Sequence, residues 1–568
     1  MPVRRYTELM WWRRRGVRRK SEITPEDIFI DASNLPSFDK DQFEGRMERP
    51  IDRNVPRTAA GIIALLFFVL VIRAGDLQIA HGQTYAIRAM ENQLTQQVIF
   101  ADRGDILDRN GLVLASNSRA QLTDDFAKRV YAPYQGISSV LGYVQPPAKD
   151  ATGTYYRTTF VGMNGVERAY NDVLSGQNGM KLTETDAHGN IISQSEEQPP
   201  QAGQTVTLSL DVKVTQALYQ AIAKVATEAG YQGGAGVIMD VHTGQIIALT
   251  SYPEYSSQAM TDGDPSAIAS YNSNPDQPFL DRAINGLYAP GSIVKPIVGI
   301  AALTDGVINE NTQILSTGSI SLPNPYDPAH PFVFKDWRAN GWVDMRHAIA
   351  YSSDVYFYEV GGGYQNQPGI GINALDQYYR LFGFGSPAGL AGFPEPSGTI
   401  PSPQWKAENF PADPTWRIGD TYHTAIGQYG LTVTPLQIVR EAAAIANGGM
   451  LLTPQLLASS TPQGTNLSLD QHNVEVIREG MRLGVTGGIA QAVNFNFVHV
   501  AAKTGTAQLG VNNAFENSWM MGFFPYENPH YAFAVVLEKG KSGTLEGASR
   551  VVKYTLQWME ANDPQYLQ

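Results

Sequence analysis

"TAAGIIALLFFVLVI", residues 58–72, runs without a charge between Arg57 and Arg73. No other stretch narrows the possible folds as far. In lipid every backbone N–H and C=O must be paired within the segment, which leaves a helix as the only single-segment solution. Fifteen residues of helix reach roughly 22 Å, short of the roughly 30 Å hydrocarbon core. Arg57 and Arg73 can snorkel outward, and the adjoining "AGDLQIA" can lengthen the helix. A buried soluble helix and a cleaved signal peptide compete with this reading. The long charged leader and the poor cleavage site after the run favour a single uncleaved anchor. That leader, "MPVRRYTELMWWRRRGVRRK", carries eight basic residues and one acid. The positive-inside rule therefore puts the N-terminus in the cytoplasm and all residues after about 80 on the far side of the membrane.

The chain beyond the anchor is long enough for more than one domain. The protein has 568 residues, 43% hydrophobic and 17% charged, which is a globular composition. A net charge of −12 argues against nucleic acid as a partner. The absence of cysteine removes disulfides, thiolate metal sites and cysteine nucleophiles together. "TQQVIFADRGDILDRNGLVLASNS" predicts a strand, a turn and a second strand, and "GMNGVERAYNDVLSGQNGMKLTETDAHGNIIS" a short helix and a hairpin. The Pro/Gly junction in "QPPQAGQTVTLSLD" marks a domain boundary. The expected division is a leader (1–57), an anchor (58–78), a pedestal domain (79–205) and a larger domain (206–568).

In the larger domain, "DVKVTQALYQAIAKVATEAG" has helical periodicity and "GAGVIMDVHTGQIIALTSYP" predicts two strands and a hairpin. Three strands come late, in "FNFVHVAAKTGTAQ", "NSWMMGFFP" and "HYAFAVVLEKG", before a terminal helix in "GASRVVKYTLQWMEAN". Strands at both ends with helices between them imply an α+β domain, one antiparallel sheet joining both ends and flanked by helices.

"YAPGSIVKPIVGIAAL", residues 288–303, places Ser292 three residues before Lys295. The pair is either a nucleophile with its base or an ordinary helix surface, and "SFDK" at Ser37 to Lys40 shows that such pairs occur by chance. Context favours chemistry. A helix starting near Ser292 tolerates Pro296, brings Lys295 round to the same face and stabilises negative charge on the serine oxygen. A lysine can deprotonate a serine only when neutral, which burial or a nearby cation arranges. Farther on stand "SSD" at Ser352 to Asp354 and "KTGT" at Lys503 to Thr506, 60 and 151 residues apart in order.

This ordered trio resembles the established signature of the penicilloyl-serine transferases, which is Ser-x-x-Lys, Ser-x-Asn and Lys-Thr-Gly. Asp354 stands where asparagine is usual. Followed by "VYFYEVG", it resembles the elongation-type class B penicillin-binding proteins. So do "RGDILDRNGLVLASN", "GVERAYNDVLSG", "SYPEY", "GLYAPGSIVKP", "AIGQYGLTVTPLQIVREAAAIANGG" and "WMMGFFP". The likeness runs from about Arg73 to the end. It departs between Asn117 and Gly162, 45 positions where such proteins carry a larger head.

The resemblance implies a serine β-lactamase-like fold for the catalytic domain and a non-catalytic pedestal before it. It implies a D,D-transpeptidase that acylates Ser292 on stem peptides ending in D-Ala-D-Ala and is a target of β-lactams, without metal or cofactor. Lys295 would be the base and Ser352 a proton relay. Lys503 would stay cationic and hold the substrate carboxylate with Thr504 and Thr506, and Gly505 would admit the substrate backbone. The N–H groups of Ser292 and Thr506 would form the oxyanion hole. An ionised Asp354 would oppose Lys295 as base unless Lys503 offsets it or the site shares a proton. Implied partners are a SEDS-family glycan polymerase of the RodA type, met by the anchor and residues 80–205, and other elongation-complex proteins. A division-type transpeptidase, a β-lactamase, and a β-lactam sensor or non-catalytic scaffold remain as alternatives. The intact motifs argue against the scaffold, and the anchor and pedestal against the β-lactamase.

Other matches have plainer readings. "SYN" at Ser270 to Asn272 precedes the serine helix, and "KSGT" at Lys541 to Thr544 comes after the last strand. His242 and His347 read as surface or packing residues, and Trp519 and Phe523 as core or cleft aromatics. Asp336, Asp344 and His347 are too loosely spaced for a metal site, and "YFYEVGGGY" reads as packing behind Asp354.

Overall fold

A computed structural model of the chain describes residues 54–85, 95–119, 121, 124–185 and 191–568. The leader, with its "SFDK" match, and the tip of the "TETDAHGN" hairpin lie outside the described residues. The chain divides into two compact units, Met1–Glu91 and Asn92–Gln568. In the first, Asn54–Gly75 is an α-helix that runs on through a π-helical turn, Asp76–Ala80. The resulting span of 27 residues contains an 18-residue stretch with a mean hydropathy of 2.3, none of it buried. "AGDLQIA" extends the helix as expected, and Arg73 at the end of the apolar run pairs with Asp76 at 2.5 Å.

The second unit opens with small sheets. Ile106–Leu107, Val113–Ser118 and Lys128–Tyr131 form a four-stranded sheet with Val206–Thr207. The expected strand-turn-strand over residues 95–118 is instead three strands. Thr95–Ile99 leaves its neighbours and pairs with Gly179–Thr185, the first arm of the predicted hairpin, whose second arm is Ile191–Gln198. Val206–Thr207 lies parallel to Ile106–Leu107, so the segment that starts the larger domain completes the sheet of the smaller one.

The larger domain is built on five antiparallel strands in the order Ile246–Tyr252, Gly233–Asp240, Tyr531–Lys541, Phe515–Phe524, Ala501–Leu509. One antiparallel sheet joins both ends of the domain, as the strand distribution predicted, and its first and last strands by sequence position pair within it. Period-two alternation feeds two cores. Trp519, Met521 and Phe523 enter one, with the serine helix, while Met520, Phe533 and Val535 enter the other, with helices Val212–Ala229 and Ala548–Asn562. Asp211 caps Val212–Ala229, accepting from Lys213 N and Val214 N, and left-handed Gly230 ends it. Trp519 and Phe523 are fully buried core residues. Ala501–Leu509 is left as a sheet edge, and the site lies along it.

Candidate active site

Three separate elements meet at this edge. The first is the serine turn. Gly291 has φ +59°, and a Cβ there would lie 2.6 Å from Thr506 O, so only glycine can make the bend this close to the strand. Gly291 N donates to Gly427 O at 2.9 Å, and the Trp519 indole donates to Ala289 O at 3.0 Å. Gly291–Val294 then forms a 3₁₀ turn that passes into the helix Lys295–Thr304, with Pro296 in its first turn, where its missing N–H leaves no hydrogen bond unmade.

The second element is a junction of two helices. Met345–Tyr351 is capped by Asp344 and ended by Ser352, and Ser353 caps the next helix, Asp354–Gly362. Ser352 holds φ +56° and ψ +43°, a left-handed conformation that costs a non-glycine residue about 1–2 kcal/mol. The turn aims both its carbonyl and its hydroxyl inward. Ser353 Oγ donates to Asp336 Oδ2 at 2.7 Å, and Val355 N donates to the same oxygen at 3.2 Å. Asp336, buried and also bonded by the Ser316 hydroxyl at 2.8 Å, anchors the junction.

The third element is the edge strand with Lys503. Its Nζ donates to Ser352 Oγ at 2.8 Å and to Thr504 O at 2.7 Å. Lys295 Nζ donates to Ser352 O at 2.8 Å, to Ser352 Oγ at 3.2 Å and to Asp354 Oδ1 at 2.7 Å. A chain Asp354–Lys295–Ser352–Lys503 results, with both lysines essentially unexposed. Burial, and then the charge of Lys295, push Lys503 well below the ordinary lysine value, while Asp354 opposes this.

The chain backs onto a cleft of 980 Å³ bordered by Ser292, Ser352, Asp354 and residues 504–506. Ser292 is half-buried and its hydroxyl makes no hydrogen bond to any described residue. The residues of the third motif take distinct positions here. Lys503 is enclosed beside a second lysine; burial and that neighbouring charge lower its pKa, while Asp354 raises it. Thr504 and Thr506 line the cleft and the buried Lys503 side chain sits behind its wall. Gly505 serves the serine turn, since a Cβ there would lie 2.9 Å from Pro290 O and from Ile293 Cγ2. The motif also lies within its strand, which runs on to Leu509.

Sequence reasoning overlooked His423 and Trp337 and read Tyr358 as packing behind Asp354; all three line the cleft. It also overlooked Asp336 as the anchor of the Ser352 junction. Burial lowers the His423 pKa, against Asp420 and Asp354. Asp336, Asp344 and His347 do not converge: Asp344 caps its own helix and accepts from His347 N at 2.9 Å, and among the described residues no three metal-ligating side chains cluster. His242 is exposed against the His530 ring. "SYN" lies in the helix Pro265–Ser273, and "KSGT" turns away from the end of Tyr531–Lys541. Neither borders the cleft.

Residues 234–557 match the family model of the penicillin-binding protein transpeptidase domain. The chain belongs to that family. Residues 120–208 match the penicillin-binding protein dimerisation domain. Among curated relatives, the peptidoglycan D,D-transpeptidase MrdA of Escherichia coli K12 is 29% identical over 598 residues, covering 85% of this chain and 91% of that protein. Among solved structures, Pseudomonas aeruginosa PBP2 in complex with WCK 5153 aligns with a TM-score of 0.69 at 29% identity, over 84% of this chain and 98% of that one. Helicobacter pylori PBP2 in complex with MreC aligns with a TM-score of 0.68 at 26% identity, over 83% and 99%.

Proposed function

We propose that this family member is an elongation-type peptidoglycan D,D-transpeptidase that works through an acyl-serine at Ser292. The observation that carries the mechanism is the Ser352 hydroxyl held between the side-chain nitrogens of two buried lysines, at 3.2 and 2.8 Å, in the wall of the cleft that Ser292 lines. Ser292 Oγ attacks the carbonyl of the penultimate D-alanine in a stem peptide ending in D-Ala-D-Ala. Its proton enters the Lys295–Ser352–Lys503 chain and leaves on the nitrogen of the departing D-alanine. The Thr504 and Thr506 hydroxyls hold the terminal carboxylate, with Lys503 adding charge from behind. The N–H groups of Ser292 and Thr506 stabilise the oxyanion, each worth about 10²–10³ in rate. An amine of a neighbouring strand then takes the acyl group. β-Lactams enter the same step and remain bound to Ser292.

The elongation type rests on Asp354 and on relatives named MrdA and PBP2. Residues 206–568 are taken as the catalytic domain and 79–205 as its pedestal. The leader and the apolar helix support an inner-membrane protein with a cytoplasmic N-terminus and the catalytic domain outside. In that setting a SEDS-family polymerase and a partner such as MreC are the proposed neighbours. The test is exchange of the terminal D-alanine of a donor peptide for a labelled D-amino acid by the full chain. Exchange that is lost in Ser292→Ala supports the reading. Release of D-alanine by hydrolysis alone contradicts transfer as the physiological step.

A further inference from the structure

The turn that carries Ser352 stands at the end of the helix Met345–Tyr351. The last carbonyls of a helix have no partner inside it, and here each is taken by a different donor. Ser353 N donates to Ala348 O at 3.0 Å, Ser352 N to Ile349 O at 3.2 Å and Ile489 N to Ala350 O at 3.2 Å. The Trp337 indole donates to Tyr351 O at 2.9 Å, and Lys295 Nζ donates to Ser352 O at 2.8 Å.

Two of these donors are side chains, and they are placed differently. Lys295 is unexposed, whereas Trp337 is 53% exposed and lines the cleft. Its ring is steadied by Arg338, whose guanidinium lies 4.4 Å from the Trp337 ring centroid and 5.3 Å from that of Tyr351. Arg338 Nε in turn donates to Asn340 Oδ1 at 2.9 Å. Asp336, the residue before, acts on the other side of the turn. Its Oδ2 accepts from Ser353 Oγ and Val355 N, and its Oδ1 accepts from Trp337 N at 2.9 Å. The Asp336-Trp337 dipeptide of the cleft wall thus grips the chain both before and after Ser352. A left-handed serine persists only where its surroundings fix it.

We propose that Trp337 is a positioning residue for the Ser352 relay. Its indole N–H fixes the carbonyl that precedes Ser352, so that the Ser352 hydroxyl stays between Lys295 and Lys503. This rests on the reading of Ser292 as the acylated nucleophile and Ser352 as the relay. Loss of the N–H leaves Tyr351 O without that donor, widens the range of Ser352 orientations and slows the proton transfer that acylation requires. Loss of the ring also removes part of the cleft wall. The two roles separate in kinetics: the first acts on the rate constant of acylation, the second on the affinity of the reversible complex.

The test uses the full chain in detergent with a fluorescent penicillin at a series of concentrations. The dissociation constant of the reversible complex and the limiting acylation rate constant are read separately. Trp337→Phe keeps an aromatic ring in the wall and lacks the donor. It should lower the limiting rate constant about five-fold, the scale of one hydrogen bond, and leave the dissociation constant in place. Trp342 is an exposed tryptophan on the neighbouring strand Gly341–Val343 and does not border the cleft; Trp342→Phe should change neither quantity. An unchanged limiting rate constant in Trp337→Phe, a change confined to the dissociation constant, or an equal fall in Trp342→Phe would overturn the proposal while the acyl-serine stands. An unaltered chain that gains no acyl group on Ser292 would remove the underlying reading as well.

Discussion

Ser352 does more with its backbone than its type suggests. Its left-handed turn sends a carbonyl to Lys295 and a hydroxyl to both lysines, and the cost of that conformation is offset by these bonds and by the buried Asp336 anchor. The proton balance of the chain hangs on Asp354. Burial and Lys295 favour a neutral Lys503, and Asp354 is the influence that opposes them. A lysine depressed in the folded state penalises that state while protonated, and the penalty is relieved as pH rises toward the ordinary 10.5. Acylation should likewise gain rate with rising pH as the chain loses a proton. Asp354→Asn removes the carboxylate and should move that rising limb to lower pH, measured as the acylation rate constant against pH. A limb that moves upward or stays in place would contradict the shared-proton account. At this scale the sequence was informative about residue types, because serine, lysine and aspartate at these spacings have few other joint uses. It was silent about direction. Asp336 is named in a loop sequence, "FKDW", but its partners Ser316, Ser353 and Val355 stand 17 to 20 residues away, and nothing local announces them.

At the scale of elements, the site is a contact between a turn and a sheet edge. Gly505 and Gly291 let the serine turn lie against the edge strand, with backbone atoms closer than a side chain would permit. Gly505→Ala places a methyl group 2.9 Å from Pro290 O and Ile293 Cγ2 and 3.2 Å from Ile293 N, so the turn must shift. A displacement on the order of 1 Å at a nucleophile costs about 10²-fold in rate. That loss is expected in acylation by a fluorescent penicillin, with the far-ultraviolet circular dichroism unchanged. An unaltered rate would mean that the turn is positioned by its helix alone. The five strands and their flanking helices were legible because alternation and helical periodicity are local patterns. The pairing of Thr95–Ile99 was not, because its partner is fixed by residues 179–185, and "TQQVI" carries no sign of which strand it will meet.

One of the two apolar cores runs from the small sheets into the larger domain. Ile106, Val140 and Val166 share one core with Leu208, Val237 and Ile293, so the Pro/Gly junction near residue 200 does not separate two hydrophobic cores. The ionic counterpart is Glu167, unexposed, which accepts from Arg103 Nε at 2.6 Å, Arg129 Nε at 2.7 Å and the Tyr131 hydroxyl at 3.2 Å. Glu167→Gln strands two buried guanidiniums, a loss of about 3–5 kcal/mol. With a shared core this should lower one cooperative transition in calorimetry of the full chain. A separate early transition confined to the N-terminal part would show instead that the two parts are stable independently. Composition suggested a division near residue 205 but could not show that the residues on either side share a core, since burial depends on faces brought together only in the folded chain.

The most direct measurement is intact-mass spectrometry of the full chain after incubation with a penicillin, beside Ser292→Ala. A stable gain of the penicilloyl mass that maps to Ser292 and is absent in the variant is the predicted result. A folded protein that gains no mass, or an adduct that persists in Ser292→Ala, would contradict Ser292 as the nucleophile.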